Sequence, residues 1–161
     1  MAADYLLVID GIKGESKDKA FPGSIEVDSF SWGESNAGTG ASGMGGGSGK
    51  VTFQDLHFST SVNKSSPLLA LACASGKHLS KAELHVRKQG GEQAEYYTIT
   101  LSGIVLVSSY QSGGHSGGSA LPTDQFSLNF SKLQFDYKEQ DDKGKTGAPV
   151  TFTWDLKAGV K

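Results

Sequence analysis

Three segments of this chain alternate apolar and polar residues and then lose one step of the alternation near the middle. The apolar positions are Ile25, Val27, Phe30 and Trp32 in the first segment, Val51, Phe53, Leu56 and Phe58 in the second, and Phe126, Leu128, Phe130, Leu133, Phe135 and Tyr137 in the third. A shift of one residue moves the buried side chains of a strand to its other face, so each segment must bulge, bend or change sheet at the slip. Long strands of this kind are typical of closed or nearly closed antiparallel barrels. The pattern therefore predicts a mainly β chain folded as a small antiparallel β-barrel of two sheets.

Regular alternation predicts further strands over residues 84–87, 97–102 and 150–156. The second of these continues into an apolar run over residues 104–107, which predicts cover on both faces at that end. One short α-helix is expected after Ser66-Pro67, which would supply an N-cap and a proline in the first turn, and Gly76 would end it. A helix of two to three turns is not stable alone, so its leucines should dock on the barrel wall.

Two segments are rich in glycine and serine. Eight glycines lie between Gly33 and Gly49, and residues 112–119 are serine and glycine apart from His115. Such composition is typical of flexible chain, and a loop of that length within a compact domain is usually functional or disordered. The chain shows no internal repeat, and we expect residues 1–161 to form one domain.

Composition excludes several classes of protein. The formal net charge of −2 gives no electrostatic reason to expect nucleic acid or an anionic membrane as a partner. A single cysteine, Cys73, excludes an intrachain disulfide and is expected to pack as a small apolar residue. The first ten residues have no basic region, and their apolar run is too short for a signal peptide or a membrane span. We therefore expect a chain that is made and folded in the cytoplasm.

Motifs associated with catalysis or nucleotide binding lack their structural context. Residues 114–118 match the G-x-S-x-G pattern around Ser116, but no helix is predicted to follow, as a nucleophile elbow requires. Residues 38–43 fit G-x-G-x-x-G without a βαβ unit, and residues 46–50 lack the first glycine and the Ser/Thr of a phosphate-binding loop. The four histidines are not spaced as metal ligands and are expected to be exposed or hydrogen-bonded. The sequence therefore predicts no catalytic residue, no cofactor and no metal site.

Several blocks of the chain together resemble one protein family. They are DGIKGESKD at residues 10–18, SWG at 31–33, GKVTFQDLHF at 49–58, SPL at 66–68, CASGKH at 73–78, VRK at 86–88, residues 96–109, and LPT at 121–123 with the strand that follows. In this order they resemble the haemolysin-coregulated protein family, the tube subunits of bacterial type VI secretion systems. The resemblance covers essentially the whole chain without large insertions.

The resemblance implies a compact β-barrel of two sheets with a helix alongside and a long extended loop. It implies a homohexameric ring, stacking of rings into a tube, sheath and spike proteins as partners, and small effector proteins carried in the lumen. It also implies a non-enzymatic protein that is assembled in the cytoplasm and then exported without a signal peptide.

Two sets of candidate site residues follow from the resemblance and the alternation. Ser29 and Ser31 lie opposite the buried Phe30 and Trp32, and they are candidate cargo contacts on the inner wall. The loop from Glu34 to Gly49 is the candidate ring-stacking element, with Glu34, Asn36, Thr39, Met44 and Ser48 as its candidate contacts.

Two other classes of function are weighed against the tube subunit. A carbohydrate-type β-sandwich binding module would expose a cluster of aromatics, for which Tyr96, Tyr97 and Tyr110 are the candidates. A hydrolase built on Ser116 would need the helix that the pattern does not predict.

Overall fold

A computed structural model describes residues 3–38, 50–89, 94–118 and 120–161, and in them the chain is mainly β with one short helix. The elements are β1 Ala3–Ile9, β2 Ile25–Glu26, β3 Ser29–Ser31, β4 Glu34–Asn36, β5 Val51–Phe53, β6 Leu56–Ser61, α1 Ser66–Ser75, β7 Ala82–Lys88, β8 Glu95–Gly113, β9 Thr123–Gln140 and β10 Thr146–Asp155. This composition confirms the mainly β fold class and the single short helix that the sequence predicts.

The main sheet is antiparallel and has the strand order β2-β1-β7-β8-β9-β6-β3, with β10 paired to the second half of β9. It curls, because residues 25–31 reach both of its edges. The Val27 N–H donates to the carbonyl of Tyr5 in β1 at 3.0 Å, and the next N–H, that of Asp28, donates to the carbonyl of Ser59 in β6 at 2.8 Å. The bend between β2 and β3 therefore carries the chain from one edge of the sheet to the other and brings the edges together.

All three slips in the alternation mark places where the backbone changes direction or register. The first is the break between β2 and β3, and the second is the break between β5 and β6. At the third, β9 runs on unbroken, and the extra residue lies in its partner: Ser102 pairs with Lys132 but Val105 pairs with Phe130. A bulge in β8 thus accommodates the change of face in β9.

Apolar side chains from both halves of the curled sheet meet in one core. Its fully buried members are Leu7, Ile25, Leu56, Leu69, Leu84, Ile99, Leu101, Val105, Phe126, Leu128 and Leu133. Phe58 stacks on Phe126 with ring centroids 5.1 Å apart. The core thus fills the space enclosed by the curl.

The helix docks through one leucine rather than all three. Leu69 is buried, whereas Leu68 is 41% and Leu71 is 64% exposed, which corrects the prediction. The N-cap is Ser65 and not Ser66, whose hydroxyl instead hydrogen-bonds the buried carboxyl of Asp124. Ser66 therefore ties the start of the helix to β9.

Other local features agree with the sequence or extend it. Pro67 lies in the first turn of the helix, and Gly76 ends it with a left-handed φ of 64°, as predicted. Strand β1 was not predicted, and β8 runs on to Gly113 into the predicted flexible segment. Among the described residues, no helix is long and apolar enough to cross a membrane.

Candidate functional site

Four strands lie side by side in the order β3-β6-β9-β8 and present a polar face away from the core. Their register aligns the outward side chains in two rows across the strands. The first row is Ser29, Ser59, Gln125 and Gln111, and the second is Ser31, His57, Ser127 and Ser109. We call these eight residues the neutral wall. An open depression of about 540 Å³ lies over them, and seven of the eight line it.

The chemistry of the neutral wall is that of hydroxyl and carboxamide groups. None of the eight residues is Asp, Glu, Lys or Arg, and His57 is the one with a titratable side chain. Ser29 Oγ and Ser59 Oγ lie 2.5 Å apart, and Ser127 Oγ lies 2.5 Å from Ser109 Oγ. Ser127 is 2% exposed, so the hydrogen-bonding groups that face solvent belong to the other seven residues. These seven can donate and accept hydrogen bonds without presenting a formal charge beyond that of an imidazole.

Aromatic rings support the wall from beneath. Between its two rows the same four strands place Phe30, Phe58, Phe126 and Tyr110 in one inward row. The Tyr110 hydroxyl donates to Asp124 Oδ1 at 3.0 Å. Burial raises the pKa of Tyr110, and the Asp124 carboxyl that accepts its hydrogen bond raises it further. The phenol therefore stays a neutral donor, and the rings hold the wall on the rigid core.

Neither side edge of the neutral wall is paired along its length with a further strand in the described residues, although α1 packs against β8. β3 ends the strand order of the sheet, so the edge opposite β6 has no partner strand. The second half of β8 pairs with β9 on one side, and on the other side it makes only the bridge of Val105 to Leu79. An unpaired edge is a template for pairing with another strand.

One margin of the wall carries a carboxylate. Asp55 lies just before β6, where its Oδ2 accepts a hydrogen bond from Ser108 at 2.6 Å and its Oδ1 accepts one from Asn129 at 2.9 Å. Ser108 Oγ also lies 2.7 Å from Ser127 Oγ, so it links this margin to the second row. The negative charge of Asp55 is thus engaged with neighbouring side chains at the border of the neutral surface.

The structure places the candidate cargo contacts and part of the candidate stacking loop. Ser29 and Ser31 are exposed and stand at the β3 end of the two rows. Glu34 and Asn36 do not lie in a loop: they belong to β4, which pairs with β5 through Glu34–Phe53 and Asn36–Val51. The β4–β5 hairpin and β10 together line a cleft of about 310 Å³ that includes Phe152 and Trp154. Thr39, Met44 and Ser48 lie outside the described residues.

The alternative sites do not assemble in the described chain. Ser116 lies in a turn and is followed by strand β9, so the helix of a nucleophile elbow is missing there, as predicted. Cys73 is half-buried and packs against the core. Within the described ranges no three His, Cys, Asp or Glu side chains converge as metal ligands.

The aromatic residues of a carbohydrate-type site are engaged in packing. Tyr97 lies between Phe30 and Phe135, with ring centroids 5.6 and 4.6 Å away, and its hydroxyl accepts a hydrogen bond from the Trp32 indole at 2.9 Å. Burial raises the pKa of Tyr97 despite that hydrogen bond. Tyr110 is held by Asp124. Tyr96 is half-buried and packs against the core as well. The three candidate tyrosines are therefore engaged in packing rather than standing free on a sheet face.

Sequence reasoning found two of the eight wall residues. The same alternation of apolar and polar residues that assigns Ser29 and Ser31 to the polar face also assigns His57 and Ser59 in β6 to it, so these two could have been found from the sequence. What the alternation lacks is the order of the strands. Gln125 and Gln111 join the wall only because β9 and β8 follow β6 in the sheet.

A family model and a curated relative identify the same protein family for this chain. Residues 6–137 match the family model described as type VI secretion system effector, Hcp. The chain is 47% identical to protein Hcp1 of Pseudomonas aeruginosa over 163 residues, which cover 100% of this chain and 99% of that protein.

Solved structures agree in fold. One described as a type six secretion system protein superposes with a TM-score of 0.91 at 31% identity, covering 98% of each chain. Hcp1 from Salmonella typhimurium superposes with a TM-score of 0.78 at 31% identity, covering 98% of this chain and 97% of that one. Residues 6–137, which match the family model, include all eight residues of the neutral wall. This chain belongs to the Hcp family of type VI secretion system proteins.

Proposed function

We propose that this chain is the structural subunit of a type VI secretion tube. In this proposal residues 1–161 act as one domain, six copies close into a ring, and rings stack within the sheath and beneath the spike. The neutral wall lines the lumen and contacts small effector proteins, the chain is exported with the tube, and it performs no catalysis. Membership of the Hcp family supports a place in a type VI secretion system. The unpaired strand edges of the neutral wall support the role of a ring-forming subunit.

The observation that carries the proposal is that the neutral wall ends on two open strand edges, those of β3 and β8. Neighbouring strands across the wall are antiparallel throughout. If β3 of one copy lies beside β8 of the next, rotation about a ring axis keeps the alternation of strand directions. Each copy then offers two different edges, which is the heterologous contact that closes a ring. The wall of each copy would continue into that of its neighbour.

The chemistry of the wall suits a passage for folded cargo. Hydroxyl and carboxamide groups form hydrogen bonds to many protein surfaces, and a surface without large apolar patches does not retain them by burial of apolar area. With one imidazole as the titratable group, the wall of each copy adds little charge to the lumen. Effectors of either net charge could therefore enter and leave.

A cysteine cross-linking experiment tests the arrangement of copies. Ser29 and Gln111 stand at the two ends of one row, so within one chain three strand spacings, about 14 Å, separate them. That distance is too large for a disulfide. In a Cys73→Ala background, the pair Ser29→Cys and Gln111→Cys should give a covalent ladder up to hexamers after mild oxidation or with a short bismaleimide. A ladder that is absent or ends at dimers contradicts pairing of β3 with β8.

A matched control uses neighbours in the same row. Ser29 and Ser59 face each other across β3 and β6 with their hydroxyl oxygens 2.5 Å apart. The pair Ser29→Cys and Ser59→Cys should cross-link within one chain and leave the subunit at monomer mass on a denaturing gel. A ladder from this pair would show that the cross-links arise from random collisions.

A further inference from the structure

A tight loop covers the face of β1 and β7 that points away from the main core. Its two limbs, residues 14–16 and 23–24, are joined by backbone hydrogen bonds: Gly14 N–H to Gly23 O at 2.8 Å, Gly23 N–H to Ser16 O at 2.8 Å and Ser16 N–H to Ser24 O at 3.0 Å. A side chain at Gly14 would collide with the backbone of Ser24, so the limbs close tightly only around a glycine. We call residues 14–24 the strap.

The strap buries a small cluster separate from the main core. Leu6 is 2% and His85 is 7% exposed, although both lie on the outward face of their strands, where they are paired in register. Phe21 of the strap stacks on the His85 ring with centroids 4.2 Å apart and ring planes 20° apart. The guanidinium carbon of Arg87 also lies 6.0 Å from the centroid of the Phe21 ring. The position of Phe21 therefore depends on the imidazole beneath it and, at longer range, on Arg87.

His85 is held between two carboxylates. Its Nδ1 lies 2.6 Å from Oε1 of Glu95 in β8, and its Nε2 lies 2.9 Å from Oε2 of Glu83 in β7. An ionised carboxylate only accepts hydrogen bonds, and a neutral imidazole has a single N–H. Both contacts are satisfied together only when both ring nitrogens carry a proton. This geometry therefore requires His85 to be in the protonated, imidazolium form.

We propose that protonated His85 is a latch that holds the Phe21 end of the strap on the sheet, and that this end of the strap opens when His85 loses its ring proton. In the neutral imidazole, one ring nitrogen would direct its lone pair at a carboxylate oxygen. The repulsion is relieved if the ring turns, and a turned ring no longer lies flat beneath Phe21. The stacked pair would also lose the attraction between a cation and an aromatic ring.

The charges around the latch favour the protonated state. Burial by itself would lower the pKa of His85, but the hydrogen bonds and negative charges of Glu95 and Glu83 outweigh it and raise that pKa above its ordinary value. Conversely, burial would raise the pKa of Glu95, and its hydrogen bonds from His85 and Thr98 outweigh burial and lower it. The latch therefore holds between the lowered pKa of Glu95 and the raised pKa of His85.

Further charged groups near the latch come from β1, β7, β9 and the strap. Lys81 pairs with Glu83 on β7, and Lys138 of β9 acts on Glu95. From the strap, Asp18 binds Arg87 of β7, which also contacts Asp4 of β1. The hydrogen bond from Arg87 lowers the pKa of Asp18, so this second fastening stays ionised while His85 titrates. Asp18 Oδ1 also accepts hydrogen bonds from the N–H groups of Ala20 at 2.9 Å and Phe21 at 3.0 Å, so the strap backbone from Asp18 to Phe21 stays attached through Arg87. Opening is therefore confined to the Phe21 ring and the limb that follows it, residues 23–24.

The sign of the pH dependence follows from the raised pKa of His85. The stabilising contribution is fully present below the ordinary imidazole pKa of about 6.5 and is lost as pH rises through the higher value in the folded chain. The opening constant of the strap should grow about tenfold for each unit by which the pKa is raised.

Heteronuclear NMR of the whole protein measures both the proton and the strap. The imidazole nitrogens report the titration of His85, and hydrogen-exchange protection factors, corrected for intrinsic rates at each pH, report the strap amides. We expect the Gly23 and Ser24 amides to lose protection at the pH at which His85 titrates, while the core amides of Leu84 and Ile99 do not change. Titration of His85 at or below its ordinary pKa, or without a change at Gly23 and Ser24, would overturn the proposal.

Two variants and one control separate the latch from general stability. His85→Gln should give low protection at Gly23 and Ser24 that no longer changes with pH. Glu95→Gln keeps a partner for Nδ1 but removes one negative charge, so it should move the transition to lower pH. His78→Gln alters an exposed histidine and should leave the transition in place. An unchanged transition in Glu95→Gln would contradict the latch, even if His85→Gln does not fold.

Discussion

Gly103 in β8 packs so closely against Ser131 in β9 that a methyl group at Gly103 would overlap the Ser131 hydroxyl. Gly103 also has a left-handed φ of 76°, which residues with side chains rarely adopt. Ser131 uses the same hydroxyl to accept a hydrogen bond from the Ile104 N–H at 2.8 Å. This pair therefore fixes the bulge at which β8 accommodates the change of face in β9.

Gly103→Ala should destabilise the chain by about 2 kcal/mol or more, since it adds both backbone strain and a steric overlap. Gly113→Ala in the same strand is the matched control, because its φ is not left-handed and no atom lies within 4 Å of the added methyl group. We expect that control to remain within about 0.5 kcal/mol of the parent in urea unfolding. Equal effects of the two substitutions would contradict the role of Gly103.

Asp124 is fully buried and joins the helix to the aromatic row beneath the neutral wall, because its carboxyl binds Ser66 at the start of α1 and Tyr110 in β8. Asp124→Ala leaves both hydroxyls without their partner and should cost about 3 kcal/mol of unfolding free energy. Tyr110→Phe removes one of these hydrogen bonds and should cost about 1 kcal/mol. If denaturant unfolding gives Asp124→Ala a smaller loss than Tyr110→Phe, Asp124 is not the centre of this network.

Ser31→Gln should leave ring assembly intact and weaken retention of a lumenal effector. Ser31 is exposed at the edge of the neutral wall, so a longer side chain there changes the contact surface without disturbing the core. A pull-down of a co-expressed effector with the variant ring measures retention. Thr153→Gln makes the same kind of change on exposed β10, away from the wall, and should retain the effector. Equal retention by both variants would remove Ser31 from the cargo surface.

Shortening the β4–β5 hairpin should leave rings but impair end-to-end stacking. Because Asn36 pairs directly with Val51, residues 37–50 can be replaced by Asn-Gly, the sequence that favours a two-residue hairpin turn. Electron microscopy measures the number and length of tubes. Tubes as long and frequent as those of the parent would contradict a stacking role, and loss of the ring would assign the hairpin to the ring interface instead.

Much of the fold was predictable, because a lost step in the alternation is visible within a few residues and forces a change in the backbone at that point. The pairs Ile25–Val27 and Phe30–Trp32 cannot lie on one face of a regular strand, so a bulge, a bend or a change of sheet between them was predictable from these four residues. The structure has a bend there, and it carries the chain to the other edge of the sheet. The failure at Leu68 and Leu71 has an equally simple reason. Three leucines on a short helix do not say how much of it the sheet covers, and here Leu69 and Ala72 are the apolar residues of the helix that become buried.

The candidate site was less predictable, since it depends on strand order. Ser29 and Ser31 follow from the alternation in one segment, but their two rows are completed from strands far away in the chain. Gln125 and Gln111 complete the row of Ser29, and Ser127 and Ser109 complete that of Ser31. The cluster that the strap buries was not predicted from the sequence, for a similar reason. His85 stands at a polar position of its strand, and only the fold of residues 14–24 places Phe21 over it.

The central claim is that copies of this chain close into a ring through the open edges of the neutral wall. Native mass spectrometry of the purified protein, with negative-stain microscopy of the same sample, tests it most directly. We predict a species of six times the chain mass that appears as a ring with an open centre. A protein that remains monomeric at micromolar concentration, with no larger species in sedimentation, would contradict the claim.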